Sequence, residues 1–545
     1  MPNPKFIFVS GGVMSSVGKG VATSALSLLL KSKGYRVTAL KADPYINVDA
    51  GTMNPTEHGE TFVTDDGDET DQDIGNYERF LDESITSVNY FTTGRVYQTV
   101  IQRERNLEYH GKCVEVVPHV PEEIIRRITT AQKHAKADIT VIEIGGTVGE
   151  YQNILFLEAA RMMKLEHPAD VAFVLVSYLP IPSKVGEMKT KPTQYASRSL
   201  NSAGIQADFI VCRAEKPLDV RRREKLSIAC GVPKEHVISA PDVDSIYDVP
   251  LVFEKERLGE RLLSALSLAN RPSRLEPWRA LSRRIRTSRT PVKIGVVGKY
   301  FGTGNFTLAD SYISVIEAVK HASWYHKRKP QMTWIDAEQY ERNPRKVREL
   351  AKYDGIIVPG GFGSRGIEGV IRAIEFVRKN NIPYFGLCYG MQLACVEFTR
   401  NVLKKPKANT REIDPKTPEP VIIANPFQQE NIQRKRMGGT MRLGLYPCTL
   451  AKDSLAFRAY KKPKIFERHR HRFEFNNDYR KAMEEAGVRF SGVYPAKTLV
   501  EIIELRDHPW FVGTQFHPEF LSRPLRPHPL YRDFIAASIA HSKRG

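Results

Sequence analysis

The sequence predicts two α/β domains in tandem, on three observations. Short apolar runs alternate with longer amphipathic stretches from residue 1 to about 268, and a second alternating series begins at residue 292. An Arg- and Pro-rich segment separates the two series. The length of 545 residues also exceeds what one hydrophobic core usually serves. We therefore expect one domain over 1–270, a linker over 271–291 and a second domain over 292–545.

The first series consists of continuous apolar runs, which suit strands that are covered on both faces, as in a mostly parallel sheet. The runs are FIFVS (6–10), RVTAL (36–40), ITVIEI (139–144), VAFVLVS (171–177) and DFIVCR (208–213). A helical stretch over 21–34 follows the first run and ends in a glycine.

The second series contains four runs of the same kind: VKIGVVG (292–298), YDGIIVPGG (353–361), IPYFGLC (382–388) and PWFVGTQF (509–516). Between the third and the fourth, the segment 404–421 is polar and proline-rich, which predicts a surface loop. The separating segment 271–293 holds seven Arg and one Lys against a single Glu. A basic, solvated linker is its simplest interpretation.

The composition limits the class of protein. Lys and Arg outnumber Asp and Glu by 81 to 62, and a net charge of +19 suggests polyanionic partners, either nucleic acid or small phosphorylated ligands. No zinc-finger, helix-turn-helix or RNA-recognition signature accompanies it. The six cysteines are scattered without a CxxC pair, which fits a reducing cytosol. With no apolar run near the roughly 18–20 residues that span a bilayer, we expect a cytoplasmic protein without a membrane partner.

The first strand runs directly into GGVMSSVGKG (11–20) and then into a helix. Backbone N–H groups and the helix dipole favour anions at such a turn, and Lys19 adds a point charge, so we expect phosphate binding here. A tight structural turn is the alternative. The P-loop formula requires Gly at position 13 and Ser or Thr at position 20, where this chain has Val13 and Gly20. The hydroxyl that normally helps to hold Mg²⁺ is therefore missing.

Acidic residues elsewhere could supply metal ligands. Glu143 ends a buried strand, at the sheet edge where α/β proteins bind ligands, and DDGDETDQD (65–73) is rich in carboxylates. The second stretch could also be a solvated loop. Lys41 could touch a phosphate or cap its strand. GEMKTKPTQ (186–194) could bind a second triphosphate or be an ordinary polar loop.

The stretch GLCYGMQ (386–392) fits the cysteine form of a nucleophile elbow, in which a strand turns sharply into a helix. FHPEF (516–520) offers His517 as a base and Glu519 as the group that orients it. The glycine-rich turn VPGGFG (358–363) can present N–H groups to an oxyanion. A core cysteine, a capping histidine and a structural turn are the separate alternatives. Together the three predict acyl transfer by a cysteine nucleophile.

These motifs resemble the CTP synthase family, and the resemblance covers nearly the whole chain. The second half is similar to a class I glutamine amidotransferase domain, and the first half to the family's amidoligase domain, a P-loop-like fold of the dethiobiotin synthetase type. Besides the motifs above, the matching stretches are 41–60, 69–80, EIGGTVGE (143–150), KTKPTQ (189–194), GGTMRLG (438–444) and ERHRHRFEFN (467–476).

The resemblance implies a role for each set of matching residues. The catalytic triad would be Cys388, His517 and Glu519. The ATP contacts would be Ser16, Val17, Gly18, Lys19, Gly20, Val21, Lys41 and Asp73, and the Mg²⁺ ligands Asp73 and Glu143. UTP, or CTP as an inhibitor, would contact Ser15, Glu150, Tyr151, Gln152, Lys189, Thr190, Lys191, Pro192, Thr193, Gln194 and Lys225. Glutamine would contact Gly361, Tyr389, Gly390, Met391, Gln392, Glu412 and Arg472.

The resemblance further implies the amination of UTP to CTP with ATP and with ammonia released from L-glutamine. It implies activation by GTP, feedback inhibition by CTP, and a homotetramer built from dimers that forms filaments in some members. One alternative is another ATP-dependent glutamine amidoligase of the cobyrinate amidase type, against which 41–60 and KTKPTQ argue. A basic nucleic-acid-binding scaffold is a second alternative, although every catalytic residue type is present. We expect no nucleic-acid partner.

Overall fold

The computed structural model describes residues 3–184, 186–298, 302–303, 306–307, 309–425, 438–496 and 498–543. The chain forms two compact units. The first comprises Met1–Ala50 and Asp73–Ser282, and the second comprises Gly51–Gln72 and Arg283–Gly545. No helix in the described part of the chain is long and apolar enough to cross a membrane.

The first unit is built on a seven-stranded sheet in which every pair of neighbours is parallel. Its strands are β1 (Lys5–Gly11), β2 (Val37–Asp43), β3 (Tyr90–Thr92), β4 (Ile139–Ile144), β5 (Val171–Tyr178), β6 (Phe209–Ala214) and β7 (Val237–Pro241), in the order β3-β2-β4-β1-β5-β6-β7. The five predicted strands are confirmed as β1, β2, β4, β5 and β6. Because the strands are buried, their apolar runs are continuous rather than alternating.

Helices of the first unit connect and cover these strands. They are α1 (Lys19–Ser32), α2 (Gln72–Leu81), α3 (Thr93–Arg105), α4 (Val116–Ala135), α5 (Ile154–Glu166), α6 (Lys191–Ser202), α7 (Val220–Cys230), α8 (Val249–Lys255), α9 (Leu258–Ala265) and α10 (Glu276–Thr287). The predicted helix over 21–34 is α1, which begins two residues earlier because Gly18, in a left-handed conformation, stands at its N-terminus.

Helix α10 lies in the segment predicted as a linker. Its sequence is amphipathic: Trp278, Leu281 and Ser282 are buried while most of its arginines face outward. The Trp278 ring packs on Phe80, with ring centroids 5.1 Å apart. A charge count over the segment hides this apolar stripe, which is why the sequence indicated only a solvated connection.

The second unit contains a nine-stranded mixed sheet. Its strands are β8 (Pro291–Gly298), β9 (Lys329–Asp336), β10 (Gly355–Val358), β11 (Tyr384–Leu387), β12 (Arg442–Leu450), β13 (Lys464–His471), β14 (Val488–Tyr494), β15 (Leu499–Leu505) and β16 (Phe511–Thr514). The order is β9-β8-β10-β11-β16-β15-β14-β12-β13, parallel through β16 and antiparallel beyond it. The four predicted strands β8, β10, β11 and β16 are confirmed.

The longer helices of the second unit are α11 (Ile313–Tyr325), α12 (Ile367–Lys379), α13 (Tyr389–Asn401) and α14 (Pro529–Ser542). The segment predicted as a surface loop, 404–421, was only partly a loop. It contains the strand Ala408–Thr410 and enters Glu419–Ala424, and these two form a small sheet with Phe473–Phe475. Three of the four prolines, 406, 415 and 418, lie outside the two strands, and Pro420 is the second residue of Glu419–Ala424, where it pairs with Asn409. Prolines near a strand start are compatible with pairing, so the composition did not exclude strands here.

The second unit also includes Gly51–Gln72, which sequence order alone places in the first domain. Asp65 accepts from Arg468 at 2.6 Å, and Glu69 accepts from Arg470 at 2.8 Å. The Phe62 ring packs edge-on against Phe520, with centroids 5.0 Å apart. Two carboxylates of DDGDETDQD, those of Asp65 and Glu69, are thus paired with arginines of β13. The stretch before residue 72 is therefore not a solvated loop.

Candidate active sites

Cys388 stands between the end of β11 and the start of α13, with φ of 47° and ψ of −95°. A positive φ at a residue with a side chain is strained, at a cost on the order of 1–3 kcal/mol, and such residues cluster at active sites. The backbone N–H of Cys388 donates to the Thr514 carbonyl at 2.6 Å. At Gly390 a Cβ would lie 2.2 Å from the Val358 carbonyl oxygen, so the turn admits only glycine there. The sequence GLCYGMQ therefore forms a strained strand-to-helix elbow.

His517 follows β16, and its Nδ1 lies 2.8 Å from Oε1 of Glu519. Both residues are buried. Burial alone would lower the pKa of His517, but the charges of Glu519 and Cys388 outweigh it and raise that pKa to about 10. The imidazole is thus poised to be cationic beside a cysteine sulfur, which is the arrangement that favours a thiolate.

Two groups that the sequence did not single out also lie beside the sulfur. Nε2 of Gln515 donates to Sγ of Cys388 at 3.5 Å, and the Arg470 carbonyl oxygen lies 3.9 Å from Sγ. Gln515 stands two residues before His517, directly after β16. Its position at a strand end next to a base is the signal that could have identified it.

The turn 358–363 after β10 lies against the same histidine. A Cβ at Gly360 would come 2.9 Å from Cε1 of His517. Gly363 donates its N–H to Oε1 of Glu412 at 3.0 Å, and its carbonyl accepts from the Tyr389 hydroxyl at 2.9 Å. The structure thus brings together the turn with Gly361 and two of the side chains expected to contact glutamine.

The remaining residues expected at the glutamine site have different surroundings. Gln392 donates to the Phe473 carbonyl at 3.0 Å and to Oε1 of Gln515 at 3.3 Å. Arg472 donates to Thr440 at 2.7 Å, and burial lowers the pKa of its guanidinium. Met391 is fully buried in the core, so only its backbone can face a ligand.

In the first unit, the loop 11–18 joins β1 to α1. Lys19 is buried and donates to the Gly146 carbonyl at 2.8 Å, and burial lowers the pKa of its ammonium. A Cβ at Gly20 would lie 1.8 Å from Oδ1 of Asp73. This contact explains the departure from the P-loop formula, because the carboxylate of Asp73 occupies the space that a Ser or Thr side chain would need.

Asp73 and Glu143 converge on one cation. Lys41 lies 2.7 Å from Oδ2 of Asp73 and 2.8 Å from Oε1 of Glu143, and Tyr77 donates to the other Glu143 oxygen. Glu143 is fully buried, and burial together with the Asp73 charge raises the pKa of its carboxyl group. Two carboxylates within reach of one positive charge form a donor set that suits Mg²⁺ with phosphate oxygens as further ligands.

The run 189–194 lies at the N-terminus of α6. Thr193 accepts from Ser177 at 2.8 Å, and Gln194 donates to Thr190 at 3.1 Å. Arg222 of α7 donates to the Met188 carbonyl at 3.0 Å. Lys225 stands three residues further along α7, close to the face of the helix that carries Arg222.

The other residues expected to contact UTP or CTP lie near the surface. Tyr151 is 93% exposed in the short 3-10 helix that precedes α5, and Glu150 and Gln152 beside it are also exposed. Ser15 is an exposed residue of the phosphate loop.

A cavity of about 200 Å³ adjoins the phosphate loop. Its walls are mostly apolar, with Arg213 and Asp242 at the polar side, and these two pair at 2.6 Å. Arg213 also donates to the Val17 carbonyl at 3.1 Å. The sequence did not indicate this cavity, because its lining comes from α1, β6, β7 and α8, which only the fold brings together.

Comparison with known proteins places both halves of the chain in one family. A family model for the CTP synthase N-terminus matches residues 5–268, and one for class-I glutamine amidotransferases matches residues 307–537. A CTP synthase of Herpetosiphon aurantiacus is 49% identical over 537 residues, which cover 98% of this chain and 99% of that protein. A CTP synthase of Pyrococcus abyssi is 50% identical over 536 residues, which cover 98% of each chain.

Among solved structures, a Trypanosoma brucei CTPS glutaminase domain with bound acivicin is 35% identical, with a TM-score of 0.42. It covers 46% of this chain and 94% of that chain. The full-length relatives and the two family models agree along almost the entire sequence. The chain therefore belongs to the CTP synthase family, ligases that combine an amidoligase domain with a glutamine-hydrolysing class I amidotransferase domain.

Proposed function

We propose that this chain makes CTP from UTP and ATP with ammonia that it releases from L-glutamine. The observation that supports the proposal is that one chain holds two sets of chemically matched residues. The strained Cys388 elbow with its His517–Glu519 pair occurs together with a phosphate loop whose Lys19 and Asp73 adjoin Lys41 and Glu143. Residues 1–270 would be the synthetase part and 292–545 the amidotransferase part.

In the second unit, Cys388 thiolate would attack the amide carbon of glutamine. N–H groups of the turn 358–363 would stabilise the oxyanion, in the manner of preorganised backbone donors elsewhere. His517 would give its proton to the leaving ammonia, and then take one from the water that hydrolyses the thioester to glutamate. Glu519 would keep the imidazole oriented throughout. Gly361, Tyr389, Gly390, Met391, Gln392, Glu412 and Arg472 would bind the substrate.

In the first unit, the γ-phosphoryl group of ATP would pass to O4 of UTP. Ammonia would then form a bond to C4 as phosphate leaves, which yields CTP, ADP and phosphate. Lys19 and the N–H groups of 16–21 would hold the phosphates of ATP, and Lys41 would offset the charge of Asp73 and Glu143. Mg²⁺ held by these two carboxylates would neutralise charge that develops on the transferred group.

The cavity beside the phosphate loop would receive the adenine ring. Its apolar walls from Val21, Val211 and Ile246 suit a flat aromatic ring, and Asp242 and the backbone of the β7 end can bond to its polar edge. The run 189–194, with Lys225, Ser15 and the stretch 150–152, would bind UTP, or CTP as an inhibitor.

Regulation and assembly form the remaining part of the proposal, and family membership supports them. GTP would activate glutamine hydrolysis, CTP would inhibit, and the chain would assemble as a tetramer built from dimers, with filaments as a further form. The five buried cysteines and the exposed Cys113 are unpaired, which suits a cytoplasmic location.

The experiment is a product assay with purified full-length protein. UTP, ATP, Mg²⁺, GTP and glutamine should yield CTP, ADP, phosphate and glutamate, with each substrate required. Absence of CTP with both glutamine and ammonium as nitrogen source would contradict the proposal. Binding of a corrinoid acid in preference to UTP would instead favour an amidase of the cobyrinate type.

A further inference from the structure

Two histidines of β13, His469 and His471, are fully buried beside the cysteine site although the mechanism above does not use them. Arg470 lies between them, and its carbonyl oxygen is the one that lies 3.9 Å from Sγ of Cys388. The backbone N–H of His517 donates to the Arg468 carbonyl at 2.8 Å. Contacts that fix this end of β13 therefore also fix the carbonyls of Arg468 and Arg470, which lie next to the catalytic residues.

The hydrogen bonds of the two histidines run in one direction. Nδ1 of His471 lies 3.1 Å from the Phe473 carbonyl oxygen, which can only accept, so this nitrogen carries the hydrogen. Nε2 of the neutral His471 ring must then accept from Nδ1 of His469, at 2.9 Å. Nε2 of His469 is left without a hydrogen. Burial and the Arg442 charge lower the pKa of both imidazoles well below the ordinary range, which supports neutral rings.

The bare nitrogen of His469 faces a carboxyl oxygen. Nε2 of His469 and Oε2 of Glu501 are both among the buried polar atoms that have no hydrogen-bond partner within the described residues. These two atoms lie 3.5 Å apart, and both side chains have no exposed surface. A neutral imidazole and a carboxylate would repel through their lone pairs, whereas one proton between them satisfies both atoms.

Charge balance indicates where that proton resides. Arg442 of β12 lies 2.7 Å from Oε1 of Glu501 and 3.3 Å from Oε1 of Glu474, so one guanidinium faces two buried carboxyl groups. Further titratable groups facing this cluster are Cys448 and Tyr446 of β12, Tyr494 of β14, and His517. Burial and the Glu474 charge raise the pKa of Glu501 to about 8, although Arg442 lowers it.

We propose that Glu501 is a positioning residue that holds a proton at neutral pH and donates it to His469, which starts a one-way hydrogen-bond chain. The chain runs from Glu501 through His469 and His471 to the Phe473 carbonyl. The inference rests on the glutaminase role proposed above.

The chain ends next to the nucleophile. The Phe473 carbonyl also accepts from Nε2 of Gln392, in the first turn of the nucleophile helix α13. That nitrogen contacts Oε1 of Gln515, which turns the Gln515 Nε2 toward Sγ of Cys388. The backbone N–H of Gln515 in turn donates to the Glu501 carbonyl at 2.8 Å. Glu501 thus takes part in a ring of contacts through both its side chain, toward His469, and its backbone carbonyl, toward Gln515. This ring sets the direction of the donor to the sulfur.

Infrared difference spectroscopy tests the proton directly, on the intact protein and without turnover. In D₂O at neutral pH, wild type minus Glu501→Gln should show a protonated carboxyl C=O band that fades as the pH rises through about 8. A carboxylate band in its place at neutral pH would overturn the proposal. The spectrum gives this answer even if the chain hydrolyses no glutamine, so it separates failure of this inference from failure of the proposed function.

Variants test the positioning role. Glu501→Gln keeps a donor toward His469 and an acceptor for Arg442, so glutaminase kcat should stay within about threefold of wild type. His469→Phe keeps the ring and breaks the chain, so kcat should fall about tenfold or more while KM changes little. Alkylation of Cys388 by iodoacetamide should slow in parallel. The positioning role of Glu501 would be overturned if both variants lost the same fraction of kcat. It would also be overturned if His469→Phe kept the wild-type kcat and melted cooperatively.

Ammonia-dependent CTP synthesis is the internal control. Both variants should keep it, because the network lies within the second unit. If His469→Phe unfolds, its ammonia-dependent activity falls as well and its melting transition is lost. In that case the infrared spectrum and the kinetics of Glu501→Gln decide whether Glu501 holds the proton and positions His469. The Glu501→Gln variant is suitable because it keeps every hydrogen-bonding role of the side chain.

Discussion

Nδ1 of His517 and Oε1 of Glu519 lie 2.8 Å apart in a pair that is buried next to the strained Cys388 elbow. This contact fixes the tautomer and the direction of the imidazole, because the nitrogen that faces the carboxylate must carry a hydrogen. The opposite nitrogen is then the one that exchanges protons with substrate. The relationship converts an ordinary histidine into a base whose pKa lies near 10.

Glu519→Gln should lower the pKa of His517, because the carboxylate that opposes desolvation is lost. We expect glutaminase kcat to fall by about 10²–10⁴-fold, the usual range when a catalytic base loses its orienting acid. The stability that His517 contributes is complete below its ordinary pKa of 6.5 and is lost as pH rises through about 10. Melting temperatures between pH 6 and 10 should therefore converge for variant and wild type at the alkaline end. An unchanged difference across that range would contradict the account.

Lys41→Met should destabilise the first unit by about 3–5 kcal/mol, because Glu143 would lose the cation that compensates its buried charge. Mg²⁺ should then raise the melting temperature of the variant more than that of wild type, since the metal would replace the lost charge. The double variant Lys41→Met/Asp73→Asn is the matched control and should lose the response. If Mg²⁺ raised the melting temperature equally in all three proteins, Asp73 and Glu143 would not be the metal ligands.

Gly20→Ser would restore the hydroxyl of the P-loop formula and should nevertheless damage the protein. The added Cβ would lie 1.8 Å from Oδ1 of Asp73, so either the Asp73 carboxylate must rotate away or the backbone must move. Overpacking of this kind costs about 1–3 kcal/mol. CTP formation from ammonia should be lost, while glutamine hydrolysis should remain, and parallel assays would measure both. A fully active serine variant would show that Asp73 does not occupy this space during turnover.

Much of the fold was predictable because buried parallel strands carry continuous apolar runs. Strand β4 (Ile139–Ile144) has the predicted bounds, and β1 differs from FIFVS by one residue at each end. The antiparallel strands β12 to β15 were missed, because charged residues such as Arg442, Arg468 and Glu501 are buried in them. These side chains form ion pairs with one another or with residues elsewhere in the fold. A hydropathy pattern counts each charged residue as exposed and does not detect such ion pairs. The edge strand β9 alternates exposed and half-buried residues and was missed for a similar reason.

The candidate sites were predictable to the extent that their residues follow strands. Cys388, His517 and Glu143 each lie at or near the carboxyl end of a strand, where a motif is visible in the sequence. The position of Gln515 beside His517 was a usable signal, but its contact with the Cys388 sulfur was not visible. The Glu501–His469 contact was not visible either, because it depends on which strands are neighbours. The role of Asp73 in place of a P-loop hydroxyl likewise required the distance to Gly20.

Cys388→Ala tests the central claim, that the cysteine site supplies ammonia and the phosphate-loop site uses it. The substitution removes the nucleophile at a buried position with little change in volume. CTP formation should be measured with UTP, ATP and Mg²⁺, once with glutamine plus GTP and once with an ammonium salt. The account predicts no CTP from glutamine and a rate close to that of wild type from ammonium. Loss of both activities in a variant with an unchanged melting temperature, or persistence of the glutamine-dependent reaction, would contradict it.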